Sequence, residues 1–339
     1  MKAIIYSDNG GPEVLRLVDR DTPEPGPREV RVRIAVSGVN PTDWKTRSGY
    51  MGPMRFPEFT PHLDGAGVID AVGEEVDQSR VGQRVWVYGA VMGRPTGTAA
   101  EYTIVHTKQA IPLPEEAGFD LGAALGVPAM TAHRALTVAE DGPTRLRPGA
   151  LEDKTVLVAG GAGAVGHAAI QLARWAGATV ISTISSPEKA RLATAAGAHH
   201  TVNYREGDPA AEIRQIAPDG VDIIVEVALG ANLDLDLAVL KTRGTIAVYA
   251  NDGEKPVEVN VGQNMMLNTR FQFLVLYTVG KEALAAAAQD VAAAVSDGAL
   301  PVGEEHGLPL LRFPLERTDE AHRAVEGGAV GKVVVDLPN

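Results

Sequence analysis

The sequence predicts an α/β protein with two domains, one rich in β-strands and one doubly wound around a parallel sheet. Three features of the 339-residue chain lead to this prediction. Short strand patterns fill residues 1 to about 125, strands and helices alternate from about residue 125 onward, and a strand, a glycine turn and a helix follow one another from Thr155 to Gly177. Alternating strands and helices are typical of right-handed crossovers in a parallel sheet. A chain of this length can form two separate cores.

The first 125 residues contain short strand patterns separated by turns rich in glycine and proline. Strands are predicted at Lys2–Tyr6, Leu15–Val18, Glu29–Val39, Gly65–Val72, Gln83–Val87 and Ala100–Val105. The segment EVRVRIAVSGV from Glu29 alternates charged and apolar residues, as a half-exposed strand does. Helical signal is scarce apart from Thr42 to Ser48. We therefore expect a barrel-like or sandwich-like β unit.

The second part of the chain alternates apolar strand patterns with helical ones. Strands are predicted at Thr155–Ala159, Thr179–Thr183, His200–Asn203, Asp222–Glu226 and Thr245–Tyr249. Helices are predicted at Pro187–Ala196, Ala210–Ile216, Leu233–Leu240 and Lys281–Val295. The last strand, Gly331 to Leu337, has no obvious partner in this unit, so we expect the tail to return to the first domain. The predicted domains are residues 1–125 with 266–339, and residues 126–265.

The glycine turn is the most informative motif of the chain. Gly161, Gly163 and Gly166 have the spacing G-x-G-x-x-G directly after the strand Thr155–Ala159. Glycine allows the backbone to approach a pyrophosphate, whose charge then lies on the free N–H groups of the following helix. The motif predicts a dinucleotide site, and a tight structural turn is the alternative. The expected contacts are Gly160, Gly161, Ala162, Gly163, Ala164, Val165 and Gly166.

Composition narrows the functional classes. The formal net charge is −12 with no basic run, which argues against binding to nucleic acid or to an anionic membrane. The chain has no cysteine, which removes disulfides, thiolate nucleophiles and cysteine-ligated zinc. Its eight histidines form no recognisable ligand cluster, so we expect no metal. The N-terminus shows no signal peptide, and no apolar stretch reaches membrane-spanning length, so a cytoplasmic location is expected.

The end of the second strand of the doubly wound unit indicates the cofactor. An enzyme that uses NAD places an acidic residue there to hold the ribose 2′-hydroxyl. This chain has STISSPEK from Ser182, with no acid at the strand end. Hydroxyl groups and a lysine suit a 2′-phosphate, so Ser182, Ser185, Ser186 and Lys189 predict NADPH rather than NADH. An N-cap before Pro187 is a second role for the serines, compatible with the first.

With these residues in view, the chain resembles the medium-chain dehydrogenase/reductase superfamily, and within it the zinc-free quinone oxidoreductases of the ζ-crystallin type. The matching segments are GVNPTD at 38–43, RSG at 47–49, DGAGVI at 64–69, GVPAMTAH at 126–133, NYRE at 203–206 and VDIIVE at 221–226. The resemblance implies a GroES-like β-rich catalytic domain and a Rossmann nucleotide-binding domain. It also implies a small-molecule substrate and a homodimer or tetramer.

The departures from the zinc-bearing relatives are as informative as the matches. Those relatives have Cys where Asn40 stands, His where Leu63 stands, and a second Cys near Gly126. None of the residues at these three positions can bind zinc here, so metal-assisted alcohol oxidation is not expected. Many ζ-crystallin-type enzymes carry a tyrosine where this chain has Lys45.

The resemblance suggests catalytic roles for Asn40, Asp43 and Lys45. Asn40 is expected to hydrogen-bond the nicotinamide ribose or the substrate carbonyl. Asp43 is either catalytic or a helix-capping carboxylate, and Lys45 is either a partner of the developing oxyanion or an exposed lysine. The resemblance further implies cofactor contacts from Thr131, Tyr204, Tyr249, Leu276 and Lys332. The aromatic segment Phe271 to Tyr277 is expected to line the pocket or to form a subunit interface.

The function implied is hydride transfer from NADPH to a quinone in a zinc-free cleft between the two domains. A reductase of enones or alkenals is the alternative among enzymes, because both reactions generate an enolate-like oxyanion. A non-catalytic NADPH-binding sensor or crystallin-like protein is the alternative of another class.

Overall fold

The computed structural model describes residues 1–251 and 256–338. The chain forms two compact units, Met1–Val127 with Pro309–Asn339, and Pro128–Leu308. The second unit is therefore an insertion in the sequence of the first. Within the described ranges no helix is both long and apolar enough to cross a membrane.

The first unit is built on antiparallel strands. Its strands are β1 (Lys2–Ile5), β2 (Arg16–Asp19), β3 (Glu29–Val39), β4 (Asp64–Val72), β5 (Arg84–Val87), β6 (Tyr102–His106), β7 (Ala110–Pro112), β14 (Leu310–Pro314) and β15 (Lys332–Asp336). The main sheet has the order β14-β15-β3-β4-β5-β7, and β6 also pairs with β3. Alternate residues of β3, including Val30, Val32 and Ile34, are buried in the core. Thus β3 is the central strand, with β4 on one side and β15 and β6 on the other.

Three helices accompany this sheet: α1 (Pro41–Arg47), α2 (Phe119–Gly122) and α10 (Thr318–Glu326). Only one residue, Asn40, separates the end of β3 from the start of α1. Pro41 occupies the first turn of α1, where its missing N–H has no intrahelical partner to lose.

The second unit is doubly wound. Its parallel strands are β8 (Thr155–Ala159), β9 (Thr179–Ile184), β10 (His200–Asn203), β11 (Val221–Glu226), β12 (Leu240–Val248) and β13 (Arg270–Phe273), in the order β10-β9-β8-β11-β12-β13. Its helices are α3 (Met130–Leu136), α4 (Ala164–Trp175), α5 (Pro187–Ala195), α6 (Pro209–Ile216), α7 (Leu229–Val239), α8 (Val261–Leu267) and α9 (Lys281–Ser296). The strand order reverses between β8 and β11, and ligands of such sheets bind at that switch point.

The structure places residues 266–308 differently from the sequence prediction. We expected them in the first domain, but they belong to the second unit. The reason is β13, which pairs in parallel with β12 and becomes the sixth strand of the sheet. Its sequence, RFQF, is short and has no long apolar run, so the alternation of strands and helices is not visible there.

Candidate active site

A buried polar cluster lies where three neighbouring strands of the first unit meet. The carboxyl end of β3 leads into Asn40, while β4 begins with Asp64 and β15 begins with Lys332. Because β4 and β15 run antiparallel to β3, their first residues lie beside its last ones. Topology therefore brings together three residues that are far apart in the sequence.

Asn40 is held by both ends of its side-chain amide. Its Nδ2 donates to Asp64 Oδ2 at 2.7 Å, and its Oδ1 accepts from Lys332 Nζ at 2.7 Å. The side chain is only 2 % exposed. One hydrogen of Nδ2 is left, so the residue keeps a single N–H in a fixed direction for a ligand.

Asp64 and Lys332 form the charged part of this cluster. The Asp64 carboxylate accepts from the Val127 backbone N–H at 3.0 and 2.9 Å, and Lys332 Nζ lies 4.0 Å from its Oδ2. Burial raises the pKa of Asp64, opposed by the Lys332 ammonium, and burial lowers the pKa of Lys332, opposed by Asp64. Each charge therefore stabilises the other in this buried cluster.

Lys332 has a different environment from the one we predicted. We expected a direct cofactor contact, but its ammonium donates inside the first unit to Val39 O at 3.1 Å and to Asn40 Oδ1. The side chain is 1 % exposed. Its observed contacts make Lys332 a support of Asn40. The role of Asp64 was not predicted from the sequence, because a lone aspartate at the start of a strand carries no motif.

Asp43 has the capping geometry that sequence analysis gave as one of its two roles. It occupies the third position of α1, and its carboxylate accepts from the Asn40 backbone N–H at 2.7 Å. Burial raises the pKa of Asp43 to about 8, although the bond from Asn40 opposes this, and the negative charge of Asp64 raises it further. Its hydrogen bond fixes the backbone from which Asn40 projects.

Lys45 lies between two aromatic rings. Its Nζ is 5.7 Å from the centre of the Trp44 ring and 5.5 Å from that of Tyr50. Such cation–π contacts hold an ammonium group without neutralising its charge. The role of Lys45 as a partner of the developing oxyanion stays a prediction.

A chain of hydrogen bonds supports the backbone of Asp64 from behind. Thr98 Oγ1 donates to the carbonyl of Asp64, which can only accept. The direction of every other bond follows from this one: Ser37 donates to Thr98, His62 Nδ1 donates to Ser37 Oγ (2.9 Å), and His322 Nε2 donates to His62 Nε2 (3.0 Å). Burial keeps the pKa of both histidines low, that of His322 at about 3, so both are neutral. The sequence offered no sign of this pair, because 260 residues separate its members.

The glycine turn of the second unit leaves backbone accessible for a ligand. Gly160 has a φ of 70°, which favours glycine, and Gly163 caps α4. A Cβ at Gly161 would lie 2.2 Å from Ser182 Oγ, and one at Gly166 would lie 2.3 Å from the Gly160 carbonyl oxygen. At Gly163 the nearest atom would be 3.4 Å away. The protein therefore requires glycine at 161 and 166 for its own packing, whereas a Cβ at 163 would meet only one neighbouring atom within 4 Å. A pyrophosphate contact at Gly163 stays a prediction.

Most of the residues predicted to hold the 2′-phosphate follow the ends of β9 and β10. The Tyr204 N–H donates to the Ile184 carbonyl at 3.1 Å, which brings Tyr204 beside Ser185. Ser186 caps α5 by accepting from the Lys189 N–H at 3.3 Å. Arg205 lies over the Tyr204 ring. Ser185, Ser186 and Tyr204 thus lie just beyond two neighbouring strands, and their contact with a 2′-phosphate stays a prediction.

Ser182 does not lie where its predicted contact with the 2′-phosphate requires it. It is fully buried inside β9, and its hydroxyl donates to the Val158 carbonyl at 3.1 Å. The strand continues two residues beyond it, to Ile184, so Ser182 is not at the strand end. It packs against Gly161 and supports the glycine turn.

Three further predicted cofactor contacts stay predictions. Thr131 is 7 % exposed on α3, and Leu276 is 8 % exposed after β13. Tyr249 follows β12, and its backbone N–H donates to the Glu226 carbonyl at 3.0 Å.

The described residues include no group of three or more His, Cys, Asp or Glu side chains arranged to hold a metal ion. Asn40 and Leu63 stand at two positions where zinc-bearing relatives have a ligand. The Asn40 amide is hydrogen-bonded to Asp64 and Lys332, and Leu63 is a buried apolar residue. The side chains present at these positions do not fit zinc coordination.

Comparison with known proteins gives consistent results over nearly the whole chain. Residues 26–115 match the profile of the alcohol dehydrogenase GroES-like domain, and residues 164–293 match that of zinc-binding dehydrogenases. The quinone oxidoreductase of Lama guanicoe is 36 % identical over 342 residues, covering 99 % of this chain and 98 % of that protein. The quinone oxidoreductase of Escherichia coli, solved in complex with NADPH, is 25 % identical with a TM-score of 0.80, covering 99 % of this chain and 100 % of that one.

Related structures with other activities share the fold. An NAD-dependent alcohol dehydrogenase has a TM-score of 0.83 at 28 % identity, with both chains covered completely. The CurK enoyl reductase has a TM-score of 0.82 at 25 % identity, with 99 % of each chain covered. The fold and the site define a medium-chain dehydrogenase/reductase. Within that superfamily, the chain belongs to the zinc-independent quinone oxidoreductases.

Proposed function

We propose that the protein is an NADPH-dependent quinone oxidoreductase. The observation that carries this proposal is the cluster in which Asp64 and Lys332 hold Asn40, a residue that stands where zinc-bearing relatives have a ligand, by hydrogen bonds to its side-chain amide. A reductase built this way needs an acceptor that takes up a hydride without metal activation, and quinones are strong acceptors of this kind. When bound, NADPH supplies a hydride to the quinone, which becomes a hydroquinone monoanion and then takes up a proton.

The residues divide into those that hold the cofactor and those that act on the substrate. The N–H groups around Gly163 face the pyrophosphate, and Ser185, Ser186 and Lys189 hold the 2′-phosphate. The free Nδ2 hydrogen of Asn40 donates to a carbonyl oxygen of the substrate or to the nicotinamide ribose. The charge of Lys45 stabilises the oxyanion that forms. Asp43 acts through the position of Asn40 rather than by contact with the substrate.

Turnover of substrates tests this function. Oxidation of NADPH should be fast with para-quinones and slow with enones and alkenals, and NADH should be a poor substitute. The Gly163→Val variant is the control for non-enzymatic reduction of quinones, because it is expected to fold without binding cofactor. Faster turnover of enones would favour the alternative activity, which the similarity to an enoyl reductase supports. Tight NADPH binding without turnover of either class would identify a binding protein.

We also propose a homodimer that joins two copies of β13. This strand is the outer edge of the parallel sheet, and Phe273 and Val275 at its end are 66 % and 49 % exposed. On α8, Met265 and Met266 are 71 % and 80 % exposed. An uncovered sheet edge with neighbouring apolar side chains favours association. Light scattering should give twice the chain mass, and Phe273→Asp should give monomers, whereas Leu17→Asp at an exposed site of the first unit should not.

We place the protein in the cytoplasm, where NADPH is available.

A further inference from the structure

Two buried carboxyl groups face each other in the nucleotide-binding unit. Glu226 is the last residue of β11 and is 0 % exposed, and Asp236 on α7 is 2 % exposed. Glu226 Oε1 accepts from the Ala228 backbone N–H and from Asn232 Nδ2 at 2.9 Å. In contrast, Glu226 Oε2 and Asp236 Oδ2 are both buried without a donor.

Glu226 Oε1 accepts from Asn232, which lies one turn before Asp236 on the same face of α7, so the Asp236 carboxyl lies beside that of Glu226. A hydrogen bond between the two unpartnered oxygens requires that one of the carboxyl groups carries a proton. Two adjacent buried carboxylates without that proton would repel each other and leave both oxygens unsatisfied. We propose that Glu226 and Asp236 share one proton in the native state and thereby hold residues 227–230 against the glycine turn.

The pair is linked to the turn through the segment that follows β11. A Cβ at Gly160 would lie 3.4 Å from Val227 Cγ1, so Val227 lies against the turn. The next residue, Ala228, donates its N–H to Glu226, and the Gly230 N–H donates to Asn251 Oδ1 at 2.9 Å. The inference that this affects the cofactor rests on the proposed function, in which the turn receives NADPH.

The neighbouring elements also carry ionisable groups. They are Asp234 on α7, Glu212 and Arg214 on α6, His133 and Arg134 on α3, Lys241 and Arg243 on β12, Asp222 on β11, and Tyr249 after β12. Arg214 donates to the Ala238 carbonyl, and Lys241 donates to Asp222. Burial raises the pKa of both carboxyls, and the charge of Glu226 raises that of Asp236 further.

The shared proton predicts a particular pH dependence of stability. Above the ordinary pKa of a carboxyl group the unfolded chain releases this proton and the native pair keeps it. Stability therefore falls as the pH rises, and the unfolding constant increases by an extra tenfold per pH unit.

In urea unfolding of the cofactor-free protein between pH 5 and 7, the wild type should show this extra slope relative to Glu226→Gln/Asp236→Asn. The control Asp234→Asn removes an exposed carboxyl from the same helix and should keep the wild-type slope. Equal slopes in all three proteins would refute the shared proton.

NADPH titration tests whether the pair holds the segment. Glu226→Ala should raise the Kd for NADPH at least tenfold, whereas Glu226→Gln, which keeps the acceptor for the Ala228 N–H, should stay within twofold of the wild type. If Glu226→Ala does not fold, Glu226→Asp replaces it, because a carboxyl that is one methylene shorter cannot reach both Ala228 and Asp236. An unchanged Kd would overturn the positioning role. The unfolding slopes need neither NADPH nor a quinone, so a failure of the proposed function would leave that test intact.

Discussion

At the scale of single residues, the Asn40 amide has only one orientation that satisfies its neighbours. Nδ2 must face the Asp64 carboxylate and Oδ1 must face the Lys332 ammonium, because a flipped amide would place like polarities together. Asn40, which stands where zinc-bearing relatives have a ligand, is thus held in one orientation by two hydrogen bonds.

The first prediction concerns the charge of this cluster. Lys332→Met should destabilise the protein by about 3–5 kcal/mol at pH 7, because it leaves Asp64 buried without its counter-charge. Lys332→Met/Asp64→Asn should lose less than the single variant, since the uncompensated charge is gone. Urea unfolding of the two single variants and the double variant measures this coupling, and additive losses would show that the two groups do not interact.

The second prediction concerns the 2′-phosphate. Lys189→Ala should weaken NADPH binding about ten- to a hundredfold, the value of one charge-assisted contact, and leave NADH binding nearly unchanged. Ser185→Asp should weaken NADPH binding further by repulsion. Arg191→Ala is the matched control, because it removes a positive charge from α5 that pairs with Glu304. Fluorescence titration at fixed ionic strength measures both cofactors. A native preference for NADH would contradict the assignment.

At the scale of elements, Asp290 joins α9 to α3. It accepts from His133 Nε2 at 2.8 Å and from Arg145 Nε at 2.9 Å. Burial raises the pKa of Asp290, but the hydrogen bonds from His133 and Arg145 outweigh it and lower the pKa to about 2.

The third prediction follows from this low pKa. A depressed carboxyl pKa contributes stability above the ordinary value, and this contribution is lost as the pH falls towards 2. Asp290→Asn should therefore cost roughly 2 kcal/mol at pH 6, with the difference from wild type narrowing towards pH 3. Thermal unfolding across that range gives the result, and a pH-independent difference would point to packing instead.

The fourth prediction separates the two kinds of glycine in the turn. Gly163→Val should abolish NADPH binding with little change in Tm, because a Cβ there would meet only one neighbouring atom of the protein but would block the predicted pyrophosphate contact. Gly166→Ala should lower Tm, because its Cβ would meet the Gly160 carbonyl at 2.3 Å. If Gly163→Val bound NADPH normally, the cofactor would have to lie elsewhere.

The limits of sequence-based prediction follow from the kind of contact involved. The strand, glycine turn and helix were predictable because their pattern is local, and the structure has them at Thr155–Ala159 and Ala164–Trp175. The partners of Asn40 were not, since 292 residues separate it from Lys332 and only the pairing of β3 with β15 joins them. Likewise, the membership of β13 in the sheet depends on its pairing with β12, and its own four residues do not indicate it.

At the scale of the whole molecule, the fifth prediction concerns metal. The purified protein should contain no stoichiometric zinc, and its quinone reductase activity should survive a strong chelator, since the side chains at the former ligand positions are Asn40 and Leu63. Elemental analysis before and after chelation measures this. Zinc at one equivalent, with activity lost on its removal, would contradict the zinc-independent site.

The position of β15 has a consequence for synthesis of the chain. β15 lies between β14 and β3, and its first residue supplies the ammonium group beside Asn40. The nucleotide-binding unit is continuous in sequence, so it can fold on the ribosome while translation continues. In the first unit, by contrast, the part of β3 that pairs with β15 stays unpaired until β15 has been synthesised. A pause in translation shortly before Lys332 would therefore leave a nascent chain with a formed NADPH site and an incomplete Asn40 cluster, and that open edge is where a chaperone would be needed.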